Sequence, residues 1–180
     1  KYEIPELEPY AEKAPWSQKE KVHASMITRM DRDIGRIVER LRELGLERDT
    51  LVLFTSDNGA HGSLKKTFAS NGGLDGGKGN FTPGGVRVPG IAWWPGRVAP
   101  GRTSDELLAF WDLLPTFAEL AGIAPPAPID GVSMVPTLLG TPGQSHHDYL
   151  FFRGGRPGDE PPALKRGRYL ILRGKGESRT

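Results

Sequence analysis

The sequence predicts an α/β fold, a sheet packed by helices, and three observations predict it. A long amphipathic pattern with a helix-start signature runs from Ser17 to Gly45. A short turn then leads into the apolar run Leu51–Thr55. Further short runs of strand or helix character alternate with glycine- and proline-rich connections as far as Leu172. A helix feeding a buried strand is the building block of a parallel sheet covered by helices.

Each element has its own justification. Residues 1–16 hold Pro5, Pro9 and Pro15 and no periodicity, which predicts an extended loop. Ser17 and Glu20 form a capping-box pattern. Val22, Met26, Ile27, Met30, Ile34, Ile37, Val38, Leu41 and Leu44 follow at helical spacing as one buried stripe, and Gly45 is placed to end the helix. Leu51–Phe54 is apolar on both faces, as an internal strand is. Residues 56–85 are mostly glycine, serine, asparagine and lysine, anchored by Leu64, Phe68, Leu74 and Phe81. A loop of that length inside a compact domain is usually functional or disordered.

Strand character resumes over Val86–Trp94 and stops at Pro95-Gly96, and Leu107–Phe110 reads as another strand. Asp112 is a suitable N-cap for a helix over Leu113–Ala121, closed by Gly122. A proline-rich connector at 124–130 precedes a short helix within Ser133–Leu139. After a turn at Gly140–Gly143, Tyr149–Phe152 and Arg168–Leu172 read as strands of a smaller antiparallel unit.

Bulk composition bounds the function more than it names it. The 180 residues carry 24 basic and 22 acidic side chains, a net charge of +2, so nothing points to nucleic acid or an anionic membrane as partner. With no cysteine there is no disulfide, thiolate zinc site or cysteine nucleophile. No apolar stretch approaches the ~18 residues of a spanning helix. Both ends, Lys1-Tyr2-Glu3-Ile4-Pro5 and Gly174–Thr180, read as internal to a longer chain.

The chemistry concentrates after the first strand. Asp57 and Asn58 stand at its carboxyl end, where open α/β sheets bind ligands, and supply an anionic and a neutral oxygen suited to Ca²⁺ or Mg²⁺. Asn58-Gly59 is equally a two-residue turn signal, and on the tripeptide alone the turn is the stronger reading. Two donors also fall short of the roughly six to eight oxygens that Ca²⁺ takes. Lys78, within Gly72-Gly73-Leu74-Asp75-Gly76-Gly77-Lys78-Gly79, offers an ammonium for an anion where bare backbone can close on a ligand; by spacing alone a solvated loop lysine is the better reading. A nucleotide P-loop is disfavoured, because Gly79 replaces the Ser or Thr and Pro83-Gly84-Gly85 bars a following helix. His61 is a candidate proton donor four residues after Asp57. His146-His147-Asp148 reads as an exposed connection, Arg87 as a structurally paired cation, and Trp93-Trp94 as core or sheet edge.

Taken in order, these segments resemble the sulfatase family of the alkaline phosphatase-like superfamily. The resemblance is carried by Met26–Gly35, Leu51–Gly59, Gly76–Gly79, Gly84–Pro89, Ile91–Gly96, Asp112–Thr116, Leu120–Gly122 and Asp130–Ser133. It implies that residues 1–143 are the C-terminal part of the catalytic α/β domain and 144–180 the start of a C-terminal antiparallel subdomain. It implies Asp57 and Asn58 as ligands of a divalent cation, usually Ca²⁺ with Mg²⁺ possible, and Lys78 as a sulfate contact. The family's nucleophile, a formylglycine made in a Cys/Ser-x-Pro-x-Arg motif, is expected upstream of this chain. The implied activity is hydrolysis of a sulfate ester, on a small molecule or a sulfated glycan, in a periplasmic or secreted protein. Alternatives are a phosphodiester or phosphonate monoester hydrolase of the same superfamily and a non-catalytic anion-binding remnant; this chain alone is expected to be inactive. Asp75 and Thr82-Pro83 depart from the family's usual residues and bear on the choice of ester.

Overall fold

The computed structural model describes residues 6–153, 163–166 and 169–172. The first helix, α1, spans Gln18–Glu43, and its start is the predicted capping box: Ser17 Oγ accepts from the Glu20 amide while the Glu20 carboxylate accepts from the Ser17 amide at 2.6 Å. Its end is a Schellman motif. Gly45, at φ +69°, lets its own amide reach the Arg42 carbonyl and the Leu46 amide reach that of Leu41.

The α1 stripe is buried only at its start, where Val22, Ala24 and Ser25 are covered. Met26, Ile27, Met30 and Ile37 are 40–59% exposed, because the described residues supply little to cover that face. What covers the start is the N-terminal segment, which doubles back rather than running extended. The Ser25 hydroxyl lies within hydrogen-bonding reach of the Leu7 and Lys21 carbonyls, at 3.0 and 2.8 Å, and Tyr10 and Thr28 share a hydrogen bond. Residues 1–5 of the predicted loop lie outside the described residues.

Strand β1, Val52–Thr55, pairs with β2, Gly90–Trp93, in a two-stranded antiparallel sheet that sets Val52 opposite Trp93 and Thr55 opposite Gly90. The parallel pairing that the helix-to-strand order predicts is therefore absent among the described residues. Trp93 ends β2 and Trp94 follows it at the edge of the sheet, one of the two places expected for them. The Arg42 guanidinium lies over Trp93, and the Trp94 indole donates to the Arg48 carbonyl at 2.7 Å, which ties the end of α1 to β2.

The segment between the strands is better ordered than a loop. Helix α2, Gly62–Phe68, buries Leu64 and docks Phe68 against Trp16 and His23, with ring centroids 5.0 and 5.5 Å apart. The Thr67 hydroxyl donates to the Glu20 carboxylate. A single turn, α3, occupies Pro83–Val86, so β2 does not begin at Val86. The amides of Val86 and Arg87 are spent on Thr82 and Pro83 carbonyls, Pro89 has none to give, and Gly90 is where the ladder begins.

Leu107–Phe110 does not form a strand. The chain turns into a 3₁₀ segment at Phe110–Asp112 and then into α4, Leu113–Leu120. Asp112 explains this: it stands at the expected N-cap position of α4 but makes no side-chain capping hydrogen bond to that helix. Its carboxylate is wholly buried and accepts from the Ala109 amide at 2.7 Å and the Val132 amide at 2.9 Å, with His147 Nε2 hydrogen-bonded at 2.8 Å. Beside it the buried Thr116 hydroxyl donates to the Asp112 carbonyl and accepts from the Met134 amide.

Helix α5, Val135–Leu139, stops at Gly140 (φ +71°), and Gln144 folds back on it by accepting from the Thr137 amide and donating to the Ser133 carbonyl. Strands β3 (Leu150–Phe152), β4 (Ala163–Arg166) and β5 (Tyr169–Leu172) form a three-stranded antiparallel sheet in that order. The expectation missed β4, and Arg168 and residues 173–180 lie outside the described residues.

Two predictions follow from these contacts. Asp112→Ala strands the part-buried Ala109 and Val132 amides and leaves His147 without its partner, and should cost about 3 kcal/mol in urea unfolding, while Asp112→Asn, which keeps one carbonyl oxygen, should cost less. Hydrogen bonds from Thr67 and then Ser17 hold the Glu20 carboxyl below its ordinary 4.5, and burial followed by the Lys19 charge holds His23 below its ordinary 6.5. Both groups bind fewer protons folded than unfolded, so stability present at neutral pH is lost on acidification. Thermal unfolding across pH should show one loss as pH falls below 6.5, flattened by His23→Gln, and another below 4.5, flattened by Glu20→Gln.

Candidate active site

Strand β1 delivers Asp57 and Asn58 into a bend rather than a hairpin turn, because the partner of β1 is the distant β2. The Ser56 hydroxyl donates to the Asn58 carbonyl at 3.0 Å and curls the backbone there. Asp57 is exposed and Asn58 half-buried, and neither side chain is held by a hydrogen bond or ion pair among the described residues. Their oxygens are therefore available to a ligand.

The next two residues bind this bend to segments far along the chain. The Gly59 amide donates to the Gly85 carbonyl at 2.8 Å, and the Ala60 carbonyl accepts from the Lys78 amide at 2.9 Å. Glycine is required on sterics. A Cβ on Gly59 would stand 1.8 Å from the Gly84 carbonyl oxygen, one on Gly77 would stand 2.7 Å from that of Ala60, and one on Gly85 would stand 2.0 Å from that of Asn80. The Gly84 amide in turn donates to the Asp75 carbonyl at 2.6 Å. Three segments, 57–60, 75–80 and 82–87, are thus interlocked backbone against backbone.

This interlock puts the Lys78 turn beside the Asp57-Asn58 bend. Lys78 is exposed and stands in the turn from Gly77 to Asn80, with Gly76 and Gly79 at positive φ. No helix follows it directly, but Pro83-Gly84-Gly85, expected to bar one, begin the single helical turn α3. His61 lies one residue past Ala60 with its ring exposed, and its carbonyl accepts from the Leu64 amide at the start of α2. Asp75 is exposed too.

Other predicted residues fall elsewhere. The side chain of His147 is 8% exposed against Asp112, so the expected exposed connection fails there but holds for Asp148 and for His146, which pairs with Glu106 at 2.9 Å. Arg87 is exposed and no ion pair joins it among the described residues, which corrects its reading as a paired cation.

Sequence reasoning passed over Asn80 and noted Thr82 only as a departure from the family pattern. The Thr82 hydroxyl is buried and has no partner among the described residues; it lies so close to Gly76 that a Cβ there would stand 1.8 Å away. The available signal was the pairing of Gly76-Gly77 with Gly84-Gly85 around these two residues. No group of three or more histidine, aspartate or glutamate side chains comes together among the described residues. The donor set at the bend is one carboxylate and one amide oxygen, both hard ligands, which fits part of the shell of an oxygen-preferring cation.

The chain belongs to the sulfatase family, whose model matches residues 5–123. It is 43% identical over 136 residues to steryl-sulfatase of Mus musculus, covering 72% of this chain and 22% of that one. A crystal structure of Ps i-CgsB in complex with k-i-k-neocarrahexaose superimposes with a TM-score of 0.76 at 30% identity, over 91% of this chain and 36% of that one. The phosphonate monoester hydrolase of Agrobacterium radiobacter superimposes with a TM-score of 0.61 at 26% identity, over 84% and 32%. The fold is accordingly the alkaline phosphatase-like one, with its small antiparallel sheet present. The chain spans about a quarter of the length of the curated relatives it matches. Sulfatases generally work with a metal ion and a formylglycine, and no helix among the described residues is long and apolar enough to cross a membrane.

The interlock generates a prediction independent of any activity. Gly59→Ala should lower stability by about 1–3 kcal/mol in urea unfolding, since the atom it meets is backbone and cannot rotate away. Gly62→Ala, where a Cβ meets nothing within 4 Å, is the control and should stay near wild type.

Proposed function

We propose that the whole protein of which these residues form part hydrolyses sulfate monoesters, and that Asp57, Asn58, Lys78 and His61 belong to its active site. The observation that carries the reading is the hydrogen bond from the Lys78 amide to the Ala60 carbonyl, which sets an ammonium-bearing turn beside a carboxylate–amide bend. The half-exposed apolar face of α1 supports the view that these residues work within a larger protein, and the domain division at 143/144 is part of the same reading.

In this reading Lys78 binds and orients the anionic ester and offsets charge on its terminal oxygens. Preorganised charge of this kind is commonly the largest catalytic contribution. The Asp57 carboxylate and Asn58 amide oxygen hold a divalent cation that takes oxygen ligands, Ca²⁺ by family resemblance with Mg²⁺ as the second choice. When bound, that cation supplies further neutralisation of the ester oxygens. His61, exposed one residue beyond Ala60, is the proton donor to the leaving oxygen. The nucleophile, a formylglycine by family membership, comes from outside these residues.

The substrate class is a small sulfate ester or a sulfated glycan, and the carrahexaose bound to Ps i-CgsB favours a glycan. Nucleic acid and membrane are not partners in this reading, and a periplasmic or secreted location follows from the family expectation. A second reading, hydrolysis of a phosphonate monoester or phosphodiester, is favoured by the Agrobacterium radiobacter neighbour.

In the full-length protein, Lys78→Ala should lower aryl sulfate turnover about 10²–10³-fold. Asp57→Ala should weaken divalent-cation binding by more than the roughly hundredfold seen for outer-shell partners. Full turnover in Lys78→Ala together with unchanged cation affinity in Asp57→Ala would defeat the reading. Faster turnover of an aryl phosphonate than of the matched sulfate would replace it by the second.

A further inference from the structure

We propose that Asn80 is a positioning residue for Lys78, acting through the turn that carries it; the proposal rests on the sulfatase reading of Lys78. Lys78 has a glycine on each side, and Gly79 is at φ +91°. Glycine restrains its own backbone least of all residues, so the stiffness of this turn has to come from hydrogen bonds. Asn80 supplies two of them to one residue. Its amide donates to the Gly77 carbonyl at 3.0 Å, and its side-chain Oδ1 accepts from the Gly77 amide at 3.1 Å.

Closing the turn in both directions fixes the Cα–Cβ direction of Lys78 between two anchored ends. Asparagine suits this task because its short amide side chain reaches the backbone three residues back. The same residue also touches the third segment of the site. Its carbonyl oxygen lies where a Cβ on Gly85 would approach to 2.0 Å, and the Gly85 carbonyl in turn receives the Gly59 amide. Asn80 therefore connects the turn of Lys78 to the element that holds the Asp57-Asn58 bend. Loss of its side chain removes the hydrogen bond to the Gly77 amide, leaving the turn closed only by the Asn80 amide to the Gly77 carbonyl, with the Lys78–Ala60 hydrogen bond in place.

The test is a double-mutant cycle in the full-length protein, with para-nitrophenyl sulfate as probe and thermal unfolding as a control. Asn80→Ala should lower kcat about tenfold to a hundredfold, the scale of an ångström-level misplacement, with KM changed far less. Asn80→Asp, which keeps the Oδ1 acceptor, should recover most of the loss. In a Lys78→Ala background, Asn80→Ala should cost nothing further, because the group it positions is gone. An equal loss in both backgrounds, or no recovery by Asn80→Asp, would reduce Asn80 to a structural residue and overturn the proposal. Wild-type kcat in Asn80→Ala alongside a disabled Lys78→Ala would also overturn it while sparing the sulfatase reading. A fully active Lys78→Ala would remove that reading itself, and this proposal with it.

Discussion

The arrangement depends on one steric constraint: backbone must pass against backbone where the chain leaves β1. The Gly59 amide reaches the Gly85 carbonyl only because no Cβ stands between Gly59 and Gly84. Each hydrogen bond in the interlock contributes about 1 kcal/mol net. A single intruding Cβ costs about as much as one to three such bonds. The two quantities are of the same order, so one methyl group is enough to loosen a junction made of several hydrogen bonds. Glycine at 59, 77, 84 and 85 is thus a packing requirement, in a region whose composition could be mistaken for a flexible linker.

A second anchor holds the opposite side. Asp112 is fully buried and gathers Ala109, Val132 and His147 around one carboxylate, joining the entry to α4, the approach to α5 and the approach to β3. Phe81 stacks on Phe152 with centroids 6.3 Å apart, which connects the Lys78 loop to β3. The candidate site is therefore supported from the β1 side by glycine contacts and from the C-terminal sheet by an aromatic pair. By contrast, the exposed ion pairs along α1, such as Arg40–Glu43 at 2.8 Å, add little, since exposed pairs are typically worth under about 1 kcal/mol.

What was legible in the sequence follows from how local the signal was. The start of α1 could be read from Ser17 and Glu20, its end from Gly45, and β1 from a short apolar run, because each depends on neighbouring residues. The alternation of Asp57, Asn58 and Lys78 with glycines singled out the segments proposed as the site, though not the hydrogen bonds that join them. Elements governed by distant partners were misread. Helix α2 has only Leu64 and Phe68 as apolar residues, too few to establish a period, and is held by Trp16, His23 and Glu20. Leu107–Phe110 has strand composition, yet the Ala109 amide is claimed by a carboxylate instead of a ladder. The antiparallel pairing of β1 with β2 was hidden because β2 begins four residues later than its apolar pattern.

The central claim is that the Asp57-Asn58 bend, the Lys78 turn and the Gly84-Gly85 turn form one cooperative unit. Native-state hydrogen exchange of the amides of Gly59, Lys78 and Gly84 tests this most directly, since each donates one of the joining hydrogen bonds. The account predicts that all three are protected and open together, with a common free energy and a common response to denaturant. Free exchange at Lys78 while Gly59 and Gly84 remain protected would contradict it, and would leave the lysine on an independent loop.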